Sequence, residues 1–304
     1  MSDALSRVPF HERGIPYEVA QPWQKVSDDF LQLEGLCFDD RGDLYFCDVF
    51  KGGIHRIPRG KSQVETILAL PDAFPAAVKL GPDGRLYIAC LGDFESTGSL
   101  VAFDPASGQV TQLIGPERGF VIDDLCFRAD GAFYFVHFVG GATAPRGGIY
   151  LSSPDGRDIV PVCRNMGIPN GLALTPDERA LWVTEMGAGT LHFLELEPDG
   201  VTISHYGDLT PYHFSGLNGP DSCCVDRDGN LYVAMYMQGR VLVFSPAGFP
   251  VKQIIIPESE EGRMLRSTHP RIAPGTTDLY ICTSDGPEGS GSAIYRAHAL
   301  APAL

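Results

Sequence analysis

Short runs in which apolar and polar residues alternate recur along almost the whole chain, broken by turn signals rather than by helical periodicity. Six times a turn rich in Asp, Gly and Pro leads into an apolar strand carrying an aromatic residue. Asp40-Arg41-Gly42-Asp43-Leu44-Tyr45 and Pro82-Asp83-Gly84-Arg85-Leu86-Tyr87 are the first two copies. The aromatic position is Tyr45, Tyr87, Tyr134, Trp182, Tyr232 and Tyr280, so the unit returns every 42 to 50 residues. Glycine opens a third strand in each unit, as in Gly53-Ile54-His55 and Gly239-Arg240-Val241, and a fourth strand follows in most. Units of this length, made of strands and hairpin turns, predict an all-β fold: a six-bladed β-propeller of four-stranded antiparallel blades around a central channel. The units fill residues 1–304 as one domain, and the segment from Tyr17 to Phe30 is expected to supply the outer strand of the last blade.

The repeat allows positions to be superposed within the chain. Eleven residues before the aromatic stand Glu34, Ala76, Asp123, Asp221 and His269; the fourth turn is one residue longer, which makes Asn170 the equivalent there. These residues begin the innermost strands and are expected near one end of the axis. Three residues after the aromatic stand Asp48, Cys90, His137, Glu185, Met235 and Thr283. Converging carboxylates repel unless a cation lies between them, and the oxygen-rich set suits calcium, magnesium or manganese. A water-filled channel that tolerates polar residues is the plainer alternative. His137 admits three readings: a ligand, which would favour zinc or manganese; a general base; or a hydrogen-bond partner that orients the ligands. His269, followed by Pro270, is expected in a rim loop in contact with substrate. Loops at 137–148 (with Arg146), 205–220 and 258–269 are expected to border the mouth.

Composition narrows the function class. With 23 Lys and Arg against 38 Asp and Glu, the formal charge of -15 argues against a nucleic-acid partner. No apolar run is long enough for a membrane helix, and Met1 to Ala20 has no signal-like apolar core; a cytoplasmic protein without a membrane partner is expected. Of the eight cysteines, Cys37, Cys126 and Cys224 share one repeat position, matched by Ala173 and Ile272 in other copies, and are read as reduced core thiols.

At Leu33-Glu34-Gly35-Leu36, Pro169-Asn170-Gly171-Leu172-Ala173 and Gly219-Pro220-Asp221-Ser222 the chain resembles the gluconolactonase / senescence-marker-protein / luciferin-regenerating family. The likeness runs over nearly the whole chain and is densest from Gly219 to Pro270. It implies one catalytic divalent metal, usually calcium, held by Glu34, Asn170 and Asp221, with Ser222 contributing and Asp221 transferring protons. Where lactonases of this family carry an aspartate in a run such as Tyr-Phe-Thr-Asp-Phe, this chain has Tyr134-Phe135-Val136-His137-Phe138. That departure keeps zinc and manganese open beside calcium.

The expectation is therefore a metal-dependent hydrolase that opens a lactone or related small cyclic ester. Asp221 and His137 are the candidate catalytic residues, and Asp123, Arg146, Glu185 and His269 the candidate substrate contacts. Two competitors stand: another metal-dependent reaction on an oxygenated small molecule (a different hydrolysis, an isomerisation or a C–C lyase step), and a non-catalytic interaction propeller. Oligomeric state is left open.

Overall fold

The Asp of each turn explains why the repeat looks as it does. In the computed structural model Asp39 accepts the backbone N–H groups of Arg41 and Asp43, and Tyr45 returns its hydroxyl to the same carboxylate at 3.2 Å. Tyr87 does this with Asp83 at 3.1 Å and Tyr232 with Asp226 at 2.8 Å. The side chain thus mimics a backbone turn, and the aromatic five or so residues on locks it. Gly42, Gly84, Gly131 and Gly229 supply the left-handed backbone at the turn, while in the fourth copy Glu178 adopts it at φ 56°.

The structure describes residues 5, 7–287, 289 and 291–304, so the start of the chain that was read for a signal lies partly outside the described residues. Among the described residues six sheets are present, each with an innermost strand and three strands outward, and one of them carries a fifth. The first runs Leu33–Phe38, Leu44–Asp48, Gly53–Ile57 and Glu65–Ala69, and the next three repeat that up-and-down order. Blade one packs on blade two through Cys37, Tyr45, Ile54, Val78, Leu86 and Ile88, and comparable clusters fill the other interfaces. No helix among the described residues is long and apolar enough to cross a membrane.

The N-terminal segment ties three blades together. Gln21–Ser27 pairs antiparallel with Ser292–His298 as the outer strand of blade six. Just before it, Tyr17–Val19 adds a fifth strand to blade five, parallel to Pro250–Ile255. Upstream again, Glu12 is buried in an ion pair with Arg240 and accepts the Tyr212 hydroxyl at 2.6 Å.

Two expectations are corrected by register. Residues 205–213 belong to a strand rather than a loop: Ile203–His213 is a long outer strand of blade four, and 214–219 remain irregular. The sixth turn is one residue longer than the first, so Tyr280 pairs with Arg271, whereas Tyr45 pairs with Cys37. The counterpart of Cys37 in blade six is therefore Arg271 rather than Ile272. By the same shift the counterpart of Glu34 is Thr268 rather than His269.

Candidate functional site

Innermost strands do not run regularly at the channel mouth. Their pairing slips between Glu34 and Cys37, Ile122 and Leu125, Pro169 and Leu172, and Pro220 and Cys223. A β-bulge of this kind re-aims the side chains it contains. Glu34, Asp123, Asn170, Asp221 and Ser222 all lie within these bulges and are all buried. Glycine makes the convergence possible. A Cβ at Gly171 would meet the Asp221 carbonyl oxygen at 2.8 Å, and one at Gly35, where φ is +66°, would meet the Val78 nitrogen at 2.5 Å.

The carboxylates feel one another. Burial first, then Asp221 and Asp123, raise the Glu34 carboxyl well above its ordinary range. Asp123 is raised well above its own by burial, Asp221 and Asp124. Burial also raises Asp221, against the Ser222 N–H that donates to it at 2.9 Å and against Asn170. The Ser222 hydroxyl donates to Asn170 Oδ1 at 3.4 Å. Glu34, Asp123, Asn170, Asp221 and Ser222 offer carboxylate, amide and hydroxyl oxygens, and among the described residues no Lys or Arg forms an ion pair with Glu34, Asp123 or Asp221; His269 Nδ1 stands 3.7 Å from Glu34. Nor do three His, Cys, Asp or Glu side chains there close into a ready-made metal cluster.

A second layer lies just below and was missed by counting. Asp124, fully buried, is bonded to Lys79 Nζ at 2.8 Å and accepts the Leu172 N–H at 3.2 Å. Lys79 also approaches His269 Nε2 at 3.4 Å. His269 is completely buried, not in a rim loop; burial, Lys79 and Arg271 hold its pKa well below the imidazole range, so it is neutral. An acidic pair, Asp123-Asp124, at one bulge was the available signal.

Two second-strand positions, His137 and Glu185, are bonded within their own surroundings. His137 accepts the Val121 N–H on Nδ1 at 3.0 Å and stands edge-on to Phe120 and Tyr150. Burial lowers its pKa, and Arg146 pushes the same way. Glu185 is bonded to His192 at 2.7 Å, to Thr190 and to the Gly167 N–H at 2.6 Å. Its carboxyl is thereby held low despite burial, and its partners are those of the fold.

Around the mouth the walls differ. Over blades one to three, Val49, Ala76, Leu91, Val121 and Val139 form an apolar patch with Phe74 and Phe138. Phe30, Phe50, Phe74 and Phe94 continue it as a chain of ring contacts 5.2 to 6.4 Å apart. At the Phe30 end of this chain, Arg266 lies over the rings of Phe30 and Tyr236 and donates to the Tyr236 hydroxyl and to Gln32. Non-glycine residues with positive φ gather here too: Phe74, Phe94, Ile168, Asn218, Met237 and Met264 are all at this end. Strain of that kind persists where the surroundings over-determine it, as at ligand sites.

Residues 33–284 match the model of the SMP-30/Gluconolactonase/LRE-like region family. The chain belongs to that family. It is 47% identical over 301 residues to a protein named lactonase drp35 from Staphylococcus saprophyticus, covering 98% of this chain and 93% of that one. It is 49% identical over 300 residues to the lactonase drp35 of Staphylococcus haemolyticus, covering 97% and 92%. Among solved structures it resembles a luciferin-regenerating enzyme, with TM-score 0.73 at 17% identity over 94% of this chain and 99% of that one. A calcium-binding protein, regucalcin, from Agrobacterium tumefaciens gives TM-score 0.74 at 16% identity over 95% and 98%. At those identities the structural likeness speaks to the shared propeller of the SMP-30/gluconolactonase family.

Proposed function

We propose that the protein hydrolyses a lactone whose body is apolar, at the carboxylate-lined mouth of the channel. The observation that carries this reading is the set Glu34, Asp123 and Asp221: buried, mutually repelling and without a basic partner, beside a wall of phenylalanines. Family membership and the lactonase relatives support it. The oxygen donors fit a hard divalent cation, calcium first, with Glu34, Asn170, Asp221 and Ser222 as the residues that would hold it. When bound, such an ion supplies a Lewis-acid charge against which a lactone carbonyl is polarised.

The chain's own residues then divide the work. Asp221, whose proton affinity is raised by burial, takes a proton from the attacking water at a carboxylate oxygen. It returns that proton to the ring oxygen as the alkoxide leaves, so that lactone and water give a hydroxy acid. Asn170 and the Ser222 N–H fix the Asp221 carboxylate. Arg266 places a positive charge near the mouth for the carboxylate that ring-opening creates. Phe50 and Phe94, 55% and 40% exposed, offer the apolar body a surface to displace water from. His137 is tethered through Nδ1 and shapes the wall rather than moving the proton.

The test is turnover of dihydrocoumarin by chelator-stripped protein resupplied separately with calcium, zinc or manganese. Calcium restores activity under this reading. Recovery with zinc or manganese alone would place an imidazole ligand in the site, and no turnover with any of them would remove the lactonase assignment.

A further inference from the structure

At the far end of the channel the register brings six residues into one ring. Cys37, Lys79, Cys126, Ala173, Cys224 and Arg271 each pair with the repeat's aromatic residue on the neighbouring strand. All but Cys37 border a cavity of about 350 Å³ there, and Cys37 Sγ accepts the Leu80 N–H at its edge at 3.0 Å. Lys79 is committed upward to Asp124. Arg271 is half-buried, lies within electrostatic reach of Cys37, Cys224 and His269 from three blades, and has no carboxylate within ion-pair distance among the described residues. Glu178, at the outer edge of the cavity, accepts the Ala129 N–H at 2.8 Å instead.

In a chain with 38 acidic residues against 23 basic ones, a guanidinium half-removed from water without a partner is the exception. Withdrawing a charge from water is costly unless it is paired, and the small side chain of Ala173 leaves room in the cavity. We infer that this cavity binds a small oxyanion, a carboxylate or phosphate group, which takes the fork of Arg271 N–H donors. A guanidinium matches two oxygens of such a group at once. The cavity admits a compact molecule and not a chain of sugars or bases. This site is separated from the mouth by the Asp124–Lys79–His269 layer, and the inference does not depend on the hydrolytic reading.

The experiment is calorimetric titration of the full chain, in calcium-free buffer at constant chloride, with inorganic phosphate and separately with succinate. Saturable binding of either one at a single site is expected, and the tighter of the two tells which head group the cavity prefers. Arg271→Gln weakens it by about tenfold or more, the loss of one strong charge-assisted contact. Arg271→Lys, which keeps the charge and loses the fork, retains only part of it. Ala173→Asp serves as a second variant that does not depend on the folding of Arg271→Gln: it supplies the cavity with its own carboxylate and abolishes binding while Arg271 stays. Lactone turnover is unchanged in the Arg271 variants. Absence of saturable binding to both probes, or equal binding by wild type and a folded Arg271→Gln, overturns the inference.

Discussion

The two ends of the channel are lined by the same six innermost strands and carry opposite charge. At the mouth Glu34, Asp123 and Asp221 converge without a basic partner; at the far end Lys79 and Arg271 sit in a ring with thiols and an alanine. Between them Asp124 and Lys79 neutralise each other at 2.8 Å. The contrast separates carboxylates that serve the fold from those that serve a ligand. Asp124 and Glu12 are as buried as Asp221, yet each has its cation, Lys79 or Arg240. A buried charge with a partner is satisfied within the chain, while a buried charge without one awaits something from outside.

The sharpest way to break this division is at Asp221. Asp221→Asn keeps the shape and removes the proton carrier, so turnover is expected to fall by about 10²–10⁴-fold with thermal unfolding little changed. Near-wild-type turnover would move the chemistry elsewhere. Next in size is the fold-serving pair. Lys79→Met strands Asp124 in the interior and is expected to cost about 3–5 kcal/mol in chemical denaturation, whereas Glu34→Gln removes a repelling charge and raises the stability of the metal-free protein. Equal losses in both variants would erase the distinction.

Titration gives a third and smaller effect. The folded-state pKa values of Glu34, Asp123 and Asp221 lie above their unfolded values. Between those two values the native state binds more protons than the unfolded chain, so stability falls as pH rises. Metal-free protein should therefore lose stability upward from the ordinary carboxylate range, by at most about 1.4 kcal/mol per pH unit for each group. Saturating calcium should flatten the curve, and a metal-free curve rising with pH would contradict the repulsion described. The smallest effect is expected at His137. With Nδ1 held by Val121, His137→Ala should lower turnover by less than about tenfold. A loss of a hundredfold, together with a vanished inflection in the pH–rate profile, would return proton transfer to the imidazole.

Much of this was legible in the chain because the turn that builds each blade is also the ruler that measures it. The Asp-to-Tyr closure fixes the spacing to the innermost strand, which is why Glu34, Asn170 and Asp221 could be superposed before any coordinates. The ruler fails where a turn gains a residue without a visible mark. In blade six the turn after Ile272 is longer, which moved His269 one step down the axis to Lys79 and left Thr268 at the mouth, donating to the Leu33 carbonyl at 2.6 Å. The hydrogen-bond partners of the second-strand positions carried no sequence signal. His137 and Glu185 are held within their own blades, by the Val121 N–H and by His192. The parallel fifth strand Tyr17–Val19 left no sequence signal, since three residues pairing at a sheet edge need no pattern of their own.

Calorimetric titration of calcium into chelator-stripped protein, with Glu34→Gln alongside, tests the central claim most directly. One calcium per chain in the wild type and a binding constant at least about tenfold weaker in the variant are predicted, because the buried mouth carboxylates have no Lys or Arg partner among the described residues. No calcium uptake by the wild type, or equal uptake by the variant, would contradict the account.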